Sequence, residues 1–215
     1  HAELHIIGEH FQRVEHNLLA VPGATLKTLK TVQSHVQALD QCRKSTKALG
    51  LRRVVGADTA GSAAEIAKAG DPTRAAIASE LAGHIYKLKS LKRNIEDAEH
   101  NTTRFLVLSR EAFDPDPRRG KVITSFVFRV RNVPAALYKA LGGFATNGVN
   151  MTKLESYMVD GEFAATQFLA DVDGHPHDPP LRRALEELTF FTTEIRILGV
   201  YPAHPFRIET QKAAE

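Results

Sequence analysis

Polar side chains that could bind an anion occur at three points in the first half of the sequence. Ser34 and Gln41 stand at the start of a predicted helix and two turns further on, and Asp58–Ala63 follows a strand-like run. Small hydroxyl residues and glycine at strand-to-helix junctions expose backbone N–H groups, and the helix dipole adds to their attraction for an anion. A third segment, Asn101–Phe105, combines hydroxyl groups with a fixed cation. Two such junctions at one edge of a sheet predict a cleft that binds carboxylates.

The same residues also have ordinary structural explanations, which the sequence leaves open. Three of them could do no more than cap the helices that follow: Ser34, Asp58 and Thr59. Arg104 could form a surface ion pair with Asp97 or Glu99, because such pairs are frequent. The anion cleft therefore needs support from more than one motif.

Other groups with possible chemistry are less informative. The sequence has ten histidines, with His1 four residues before His5, and His175 and His177 in a predicted turn. None of these pairs has the further cysteine, histidine or carboxylate ligands that a metal site needs at usable spacing. The single cysteine, Cys42, lies in a helical pattern that is typical of a packed thiol rather than a nucleophile. The sequence predicts no metal site.

The elements that must position the polar segments alternate between short apolar runs and helical patterns. Ser34 is predicted to cap a helix over 35–49, with Gly50 in the left-handed conformation that ends it. Two strand–helix pairs and a closing strand are predicted at 54–57 with 59–69, 75–78 with 79–86, and 104–108. This order is typical of an open α/β sheet.

A second pattern follows the segment Glu111–Gly120, whose two prolines, glycine and charges predict a linker. Phe126 and Phe128 alternate with Ser125 and Arg129, which predicts a strand buried on one face. The complete pattern is βαββαβ, with strands at 121–131, 151–159, 162–171 and 194–201 and helices from 136 to 144 and from 180 to 188. It predicts a small four-stranded sheet with helices on one face.

Composition limits the classes of protein to consider. The chain has 215 residues, is 43% hydrophobic and 25% charged, and carries a net charge of +3. These values exclude a disordered chain, and one cysteine excludes a disulfide framework, so we expect a reducing compartment, with the cytoplasm as the default. No apolar run reaches the roughly 18 residues of a membrane span, and no basic stripe or aromatic motif favours nucleic acid. We expect neither a membrane nor a nucleic-acid partner.

Taken in order, the motifs resemble those of the prephenate dehydratase family. Residues 34–42 resemble S-H-P-Q-A-L-x-Q-C with Val36 in place of the proline, and 58–63 match D-T-A-G-S-A. Residues 75–79 match A-A-I-A-S, and 101–105 match N-x-T-R-F. Two later segments resemble the signatures of the ACT domain, which binds phenylalanine in this family: 132–138 resemble N-x-P-G-A-L-Y, and 154–158 resemble I-E-S-R-P.

The resemblance implies an α/β (α+β) protein. Its catalytic domain would be two-lobed, like a type II periplasmic binding protein, and would precede a ferredoxin-like βαββαβ ACT domain. The implied domains are a catalytic part at 1–110, a linker at 111–120, the ACT domain at 121–205 and a tail at 206–215. Because the glycine-rich first strand and the P-x-E-N-S motif of the family are missing, we expect that this sequence lacks the first catalytic lobe: either that lobe lies upstream of it, or the protein lacks half of its cleft.

The implied reaction is the decarboxylative dehydration of prephenate to phenylpyruvate, in phenylalanine biosynthesis. Aromatisation of the ring provides the driving force, so no cofactor is implied. Thr103 would donate a hydrogen bond or proton to the departing hydroxide, and Arg104 would counter carboxylate charge or hold the loop. The other substrate-binding residues carried over from the motifs are Ser34, Gln41, Asp58, Thr59, Asn101 and Phe105.

The resemblance also implies regulation by phenylalanine at an interface between ACT domains, in a homodimer or homotetramer. The implied effector residues are Asn132, Ala135, Ala136, Leu137, Leu154, Glu155 and Ser156. Ala135 replaces the glycine of the first signature, and Tyr157-Met158 replace the arginine and proline of the second. A methyl group at 135 would narrow the approach of a ligand, and the loss of an arginine removes a cation. The alternative function is a non-catalytic amino-acid sensor in which the ACT domain is the working part.

Overall fold

The computed structural model describes residues 3–98, 101–158 and 165–207. The chain forms two compact units, of which one is Gln12–Thr103 and the other combines His1–Phe11 with Arg104–Glu215. We expected a single boundary at the linker 111–120. In the structure the first strand and the segment that precedes the linker belong with the second half of the chain.

The chain begins with strand β1 (His5–Arg13). The elements that follow in the unit Gln12–Thr103 are β2 (Asn17–Ala20), β3 (Thr31–Ser34), α1 (Val36–Gln41), α2 (Arg43–Ala48), β4 (Arg52–Val55), α3 (Thr59–Ala69), β5 (Arg74–Ala78), α4 (Glu80–Ile85) and β6 (Lys89–Lys92). The five strands form a sheet in the order β4-β3-β5-β2-β6, in which β3 runs parallel to β4 and β5 and β2 runs antiparallel to its neighbours.

The predicted α/β pattern of this unit is confirmed, with two local corrections. Helix α3 has the predicted bounds, and Asp58 caps it, as the sequence allowed, because its carboxylate accepts a hydrogen bond from the Gly61 N–H at 2.6 Å. The single helix expected over 35–49 is two short helices, with Cys42 between them. His35 rather than Ser34 caps the first, since Ser34 is the last residue of β3.

The second unit contains a sheet with the predicted βαββαβ order. Its elements are β7 (Thr102–Ser109), which pairs with β1, and then β8 (Val122–Val130), α5 (Ala136–Thr146), β9 (Met151–Met158), β10 (Ala165–Asp173), α6 (Pro179–Thr189) and β11 (Thr192–Pro202). Strands β8 to β11 form a sheet in the order β11-β8-β10-β9, with antiparallel neighbours throughout. Phe126 and Phe128 pack with α5 and α6 on one face, as predicted.

The other face of this sheet is also covered, which the sequence did not predict. Ser125 and Ile123 are 1% exposed, and Ile123 packs with Ile6 of β1 and with Tyr201. A side chain at Gly199 would collide with the Ile6 carbonyl, so glycine permits the close approach of β1 to β11. Ser125, which we expected on a solvated face, is therefore buried. Within the described residues, no helix has the length and apolar character needed to span a membrane.

Candidate active site

Most of the residues singled out for substrate binding line one cavity in the unit Gln12–Thr103. Its volume is about 290 Å³, and its lining residues are Val14, His16, His35, Gln37, Ala38, Gln41, Asp58, Thr59, Asn101 and Thr103. Five of the residues named from the sequence meet here: Gln41, Asp58, Thr59, Asn101 and Thr103. The cavity is close to the lower end of the size range of small-molecule sites, which begins near 300 Å³.

The sheet explains why these residues meet. Strands β3 and β4 are parallel and in register, with Ser34 opposite Val55, so their carboxyl ends lie at the same sheet edge. Helix α1 begins after the first strand and α3 after the second, which brings Gln41 and Asp58 to that edge. Gly56 allows the turn after β4 to pack on α3, since a side chain there would collide with Ser62. Ligands bind at the carboxyl ends of strands in many α/β sheets.

Three side chains at one wall of the cavity form a hydrogen-bonded group that we call the amide cluster: His16, Gln41 and Asn101. The Asn101 side-chain amide donates to the Val14 carbonyl at 3.3 Å and to Gln41 Oε1 at 3.1 Å. Gln41 Nε2 donates back to Asn101 Oδ1 at 3.3 Å. His16 Nε2 lies 2.8 Å from Gln41 Oε1. Sequence reasoning did not select His16, because a histidine that directly precedes a buried strand carries no motif of its own.

Thr103 differs from its neighbours in the cavity because its hydroxyl has no hydrogen-bond partner among the described residues. Its side chain is exposed, and it lines the cavity beside Asn101. A hydroxyl in that position can donate to a ligand without first breaking a bond within the protein. Thr59, at the first position of α3, places the start of an 11-residue helix at the same cavity.

Ser34 does not line this cavity, contrary to the prediction. Its side chain is 0% exposed, and its hydroxyl donates to the Ile77 carbonyl at 2.6 Å. Because that bond joins β3 to the neighbouring strand β5, the hydroxyl is committed to the sheet.

Arg104 and Phe105 also lie outside the cavity lining. Phe105 is 54% exposed. Arg104 binds neither Asp97 nor any described part of the preceding loop, and Glu99 lies outside the described residues. Instead its guanidinium donates to Glu9 at 2.7 Å, to Asp171 at 2.6 Å and to the Tyr201 hydroxyl at 2.7 Å. The surface ion pair with Asp97 that the sequence allowed is wrong, because Arg104 lies in a buried group of charges.

We call that group the charged cluster: Ser125, Glu9, Arg104, Asp171, Tyr201 and Arg207. The Glu9 and Asp171 side chains are 0% and 2% exposed, and Arg207 binds Glu9 at 2.6 Å and Asp171 at 3.3 Å. Two guanidinium groups thus face two carboxylates, and the formal charges cancel. Burial, and then the nearby Asp171 carboxylate, raise the pKa of Tyr201 to about 12.

The residues named for effector binding fall into two sets. Asn132, Ala135, Ala136 and Leu137 line a second cavity of about 230 Å³ at the start of α5. Leu154, Glu155 and Ser156 lie on the edge strand β9, which β10 separates from β8. Ala135 has a φ of 62°, in the left-handed region that favours glycine. That conformation accounts for the glycine that the resemblance placed at this position.

Neither the thiol of Cys42 nor a set of metal ligands takes part in the chemistry of the cavity. Cys42 is buried, as predicted, and burial raises the pKa of its thiol to about 12, so it stays protonated at neutral pH. No set of three or more histidine, cysteine, aspartate or glutamate side chains is grouped for a metal ion in the described part of the chain.

Comparisons with known proteins agree on a family. The family model described as Prephenate dehydratase matches residues 1–113. Over 206 residues the chain is 54% identical to a bifunctional N-acyl-homoserine lactone acylase/prephenate dehydratase of Komagataeibacter europaeus, covering 96% of this chain and 73% of that protein. Over 213 residues it is 39% identical to arogenate dehydratase/prephenate dehydratase 1 of Arabidopsis thaliana, a chloroplastic protein, covering 93% of this chain but 54% of the relative.

Solved structures give the same result. One described as a novel type of quorum quenching acylase, GqqA, has a TM-score of 0.83 and 54% identity, over 95% of this chain and 74% of the other. A prephenate dehydratase of Arthrobacter aurescens in complex with L-Phe has a TM-score of 0.82 and 32% identity, over 94% of this chain and 66% of the other.

Proposed function

The chain belongs to the prephenate dehydratase family, and we propose that it converts prephenate to phenylpyruvate in phenylalanine biosynthesis. The observation that carries the proposal is the meeting of Gln41, Asn101 and Thr103 at the cavity of the five-stranded unit, where Gln41 and Thr103 each have a donor without a partner among the described residues. The chain spans about half the length of the plant relatives, so the proposal concerns the full-length protein. An active site for this reaction must bind the carboxylates of prephenate and stabilise the departing hydroxide.

The proposed chemistry uses these residues in two ways. The Gln41 side-chain amide, which Asn101 holds in place, donates to a substrate carboxylate, since a carboxylate accepts hydrogen bonds and cannot donate them when ionised. As the ring carboxylate leaves as carbon dioxide, its bonding electrons move through the ring, and the carbon–oxygen bond to the ring hydroxyl breaks. The Thr103 hydroxyl stabilises the departing oxygen by a hydrogen bond, and one proton converts the hydroxide to water. Arg104 supports strand β7 rather than the substrate in this scheme, because the charged cluster already occupies it.

We also propose the finer fold and the partners implied by the motifs. The five-stranded unit is then one lobe of a type II periplasmic-binding-protein-like catalytic domain within 1–110. The four-stranded sheet is the core of a ferredoxin-like ACT domain at 121–205. The protein is a homo-oligomer that binds phenylalanine between ACT domains, at the two sets of effector residues. The relative solved with L-Phe supports the effector, and the single cysteine supports a reducing compartment such as the cytoplasm.

The test is a Thr103→Val variant of the full-length protein, assayed by the ultraviolet absorbance of phenylpyruvate. We expect kcat to fall by about 100-fold, since removal of one donor to a developing oxyanion costs 10²–10³ in kcat. Stability in urea should not change, because the side chain is exposed. No conversion of prephenate by the wild-type protein, or full activity of the variant, would refute the proposal.

Calorimetric titration with phenylalanine, tyrosine and tryptophan tests the amino-acid sensor, the alternative function. Binding of one of these amino acids without turnover would favour the sensor. Turnover of prephenate without binding of any of the three amino acids would refute both the sensor function and the proposed regulation by phenylalanine.

A second activity is suggested by the relative with 54% identity, whose name includes N-acyl-homoserine lactone acylase. The same protein should be incubated with an N-acyl-homoserine lactone, and release of the fatty acid should be followed by mass spectrometry. If the activity resides in the cavity, phenylpyruvate should inhibit it and Thr103→Val should reduce it.

A further inference from the structure

We infer that His16 is a positioning residue that makes the cavity selective for ligands with hydrogen-bond acceptors. Its Nε2–H fixes the orientation of the Gln41 amide, so that an amide N–H rather than the carbonyl is available to a ligand. This inference deepens the proposed function and rests on it for the identity of the ligand. The orientation itself can be measured without any turnover.

The orientation follows from one backbone carbonyl. The Val14 carbonyl can only accept, so the Asn101 side chain must direct its NH₂ group toward it, at 3.3 Å. The same NH₂ group lies 3.1 Å from Gln41 and therefore donates to Gln41 Oε1. The Asn101 carbonyl then faces Gln41 Nε2 at 3.3 Å and accepts from it. Each amide can adopt the opposite orientation only if the next one also does so, and the backbone carbonyl opposes that.

His16 completes the sequence of bonds. Its Nε2 lies 2.8 Å from the same Gln41 Oε1, which can only accept, so Nε2 carries a proton. His16 is 5% exposed, and its backbone N–H donates to the Glu96 carboxylate at 3.0 Å. Burial and this backbone bond restrict the movement of the residue that donates to Gln41. In neutral His16, Nδ1 is then the unprotonated nitrogen, and it has no hydrogen-bond partner among the described residues.

The consequence is a cavity wall with defined polarity. Gln41 Oε1 accepts two hydrogen bonds, from Asn101 and His16, and is saturated. Gln41 Nε2 donates one of its two hydrogens to Asn101 Oδ1, and the other hydrogen has no acceptor among the described residues. Gln41 is exposed and lines the cavity. A ligand carboxylate meets a donor there, whereas a reversed amide would present an oxygen and repel it.

Nitrogen NMR of the imidazole tests the orientation directly. At a pH above 8, two-bond proton–nitrogen correlations should identify His16 as the Nε2–H tautomer in the ligand-free, full-length protein. The Nδ1–H tautomer would overturn the inference, because Nε2 would then accept from a reversed Gln41 amide. This result does not depend on whether the protein is a dehydratase.

A matched pair of variants tests the consequence for binding. His16→Gln keeps an N–H donor near the position of Nε2, and His16→Met has a similar length without any donor. We expect the Gln variant to bind phenylpyruvate within about threefold of wild type and the Met variant to bind it about tenfold more weakly, as for one lost hydrogen bond to a charged group. His84→Met, on the exposed surface of α4, is the control for a histidine-to-methionine change.

The amide of phenylpyruvate separates orientation from a general loss of structure. Only the acid requires a donor from Gln41, so His16→Met should reduce the preference for acid over amide about tenfold. Equal weakening of both ligands, or an unchanged preference, would refute the positioning role. If the wild-type protein binds neither ligand, the proposed function fails, and the tautomer measurement still decides the orientation.

Discussion

The amide cluster belongs to the unit Gln12–Thr103 and the charged cluster to the other unit, and the two polar groups are built on opposite principles. The amide cluster contains no carboxylate or guanidinium group, lies at a cavity and leaves one Gln41 N–H without a partner among the described residues. The charged cluster contains two guanidinium groups and two carboxylates, nearly all buried, and its members bind one another. Thr103 ends one unit of the chain and Arg104 belongs to the other. A saturated cluster has little left to offer a ligand, so saturation separates structural from ligand-binding polar groups here.

The strongest test of this distinction is to break the charged cluster. Arg104→Met should lower the free energy of unfolding by about 3–5 kcal/mol, because two buried carboxylates of the cluster then face a single guanidinium group, that of Arg207. Asp171→Asn should act in the same direction. Denaturation in urea measures both. The control is Arg118→Met, which removes an ion pair with an 88% exposed arginine, and it should have no measurable effect. A stable Arg104→Met protein that has lost only activity would assign Arg104 to the substrate site after all.

The pH dependence of stability extends the comparison to both units. Tyr201 in the charged cluster and Cys42 in the five-stranded unit have pKa values raised to about 12. The unfolded chain ionises these groups at lower pH than the folded chain, so it binds fewer protons and stability falls as pH rises from about 9 to 12. Tyr201 should contribute about 2–3 kcal/mol and Cys42 about 4 kcal/mol. Urea denaturation at several pH values should show a weaker loss in Tyr201→Phe. An unchanged slope in that variant would argue against a buried phenol.

Ser34 sharpens the comparison within the five-stranded unit. Its hydroxyl already donates its hydrogen bond within the protein, as the groups of the charged cluster do, although its motif suggested a substrate contact. Ser34→Ala should lower stability by about 1–2 kcal/mol, since it leaves the Ile77 carbonyl without its side-chain partner. KM for prephenate should stay within about twofold, because no substrate bond is lost. A large rise in KM with unchanged stability would return Ser34 to the ligand-binding group.

The smallest expected effect concerns the backbone rather than a side chain. Ala135 holds a left-handed conformation at the start of α5, with φ 62°. Ala135→Gly should raise stability by about 1 kcal/mol, because glycine adopts that conformation without steric cost. Thermal denaturation measures the change. Pro134→Gly, at the neighbouring position, is the control and should not stabilise the protein, since it only increases the freedom of the unfolded chain.

Features that depend on local sequence patterns were predicted from the sequence, whereas features that depend on long-range contacts were not. Helix α3 and the order of β8 to β11 followed from periodicity, and Gln41 and Thr103 from motifs. Motif position could not show that Thr103 lines the cavity and Arg104 does not, so a contact between Arg104 and the substrate carboxylate stayed open. The alternation of side chains along a strand separates such neighbours.

Two kinds of partner had no signal in the sequence at all. Glu9, Asp171 and Tyr201 are far apart in the chain, and only the fold brings them to Arg104. His16 acts through Gln41, which lies 25 residues away. Motifs cannot predict such groups, because each residue alone has the sequence context of an ordinary polar residue.

The contact between Gly199 and Ile6 has a practical consequence for the design of chimeric proteins. An exchange of the four-stranded sheet between relatives at the linker would transfer Asp171 and Tyr201 but leave Glu9, Ile6 and Arg104 behind. The transplanted sheet would expose Ile123 and leave the Asp171 carboxylate with Arg207 but without Arg104. A functional module must therefore be taken as two pieces of the gene, one that encodes β1 and one that runs from β7 through the sheet to the end of the chain.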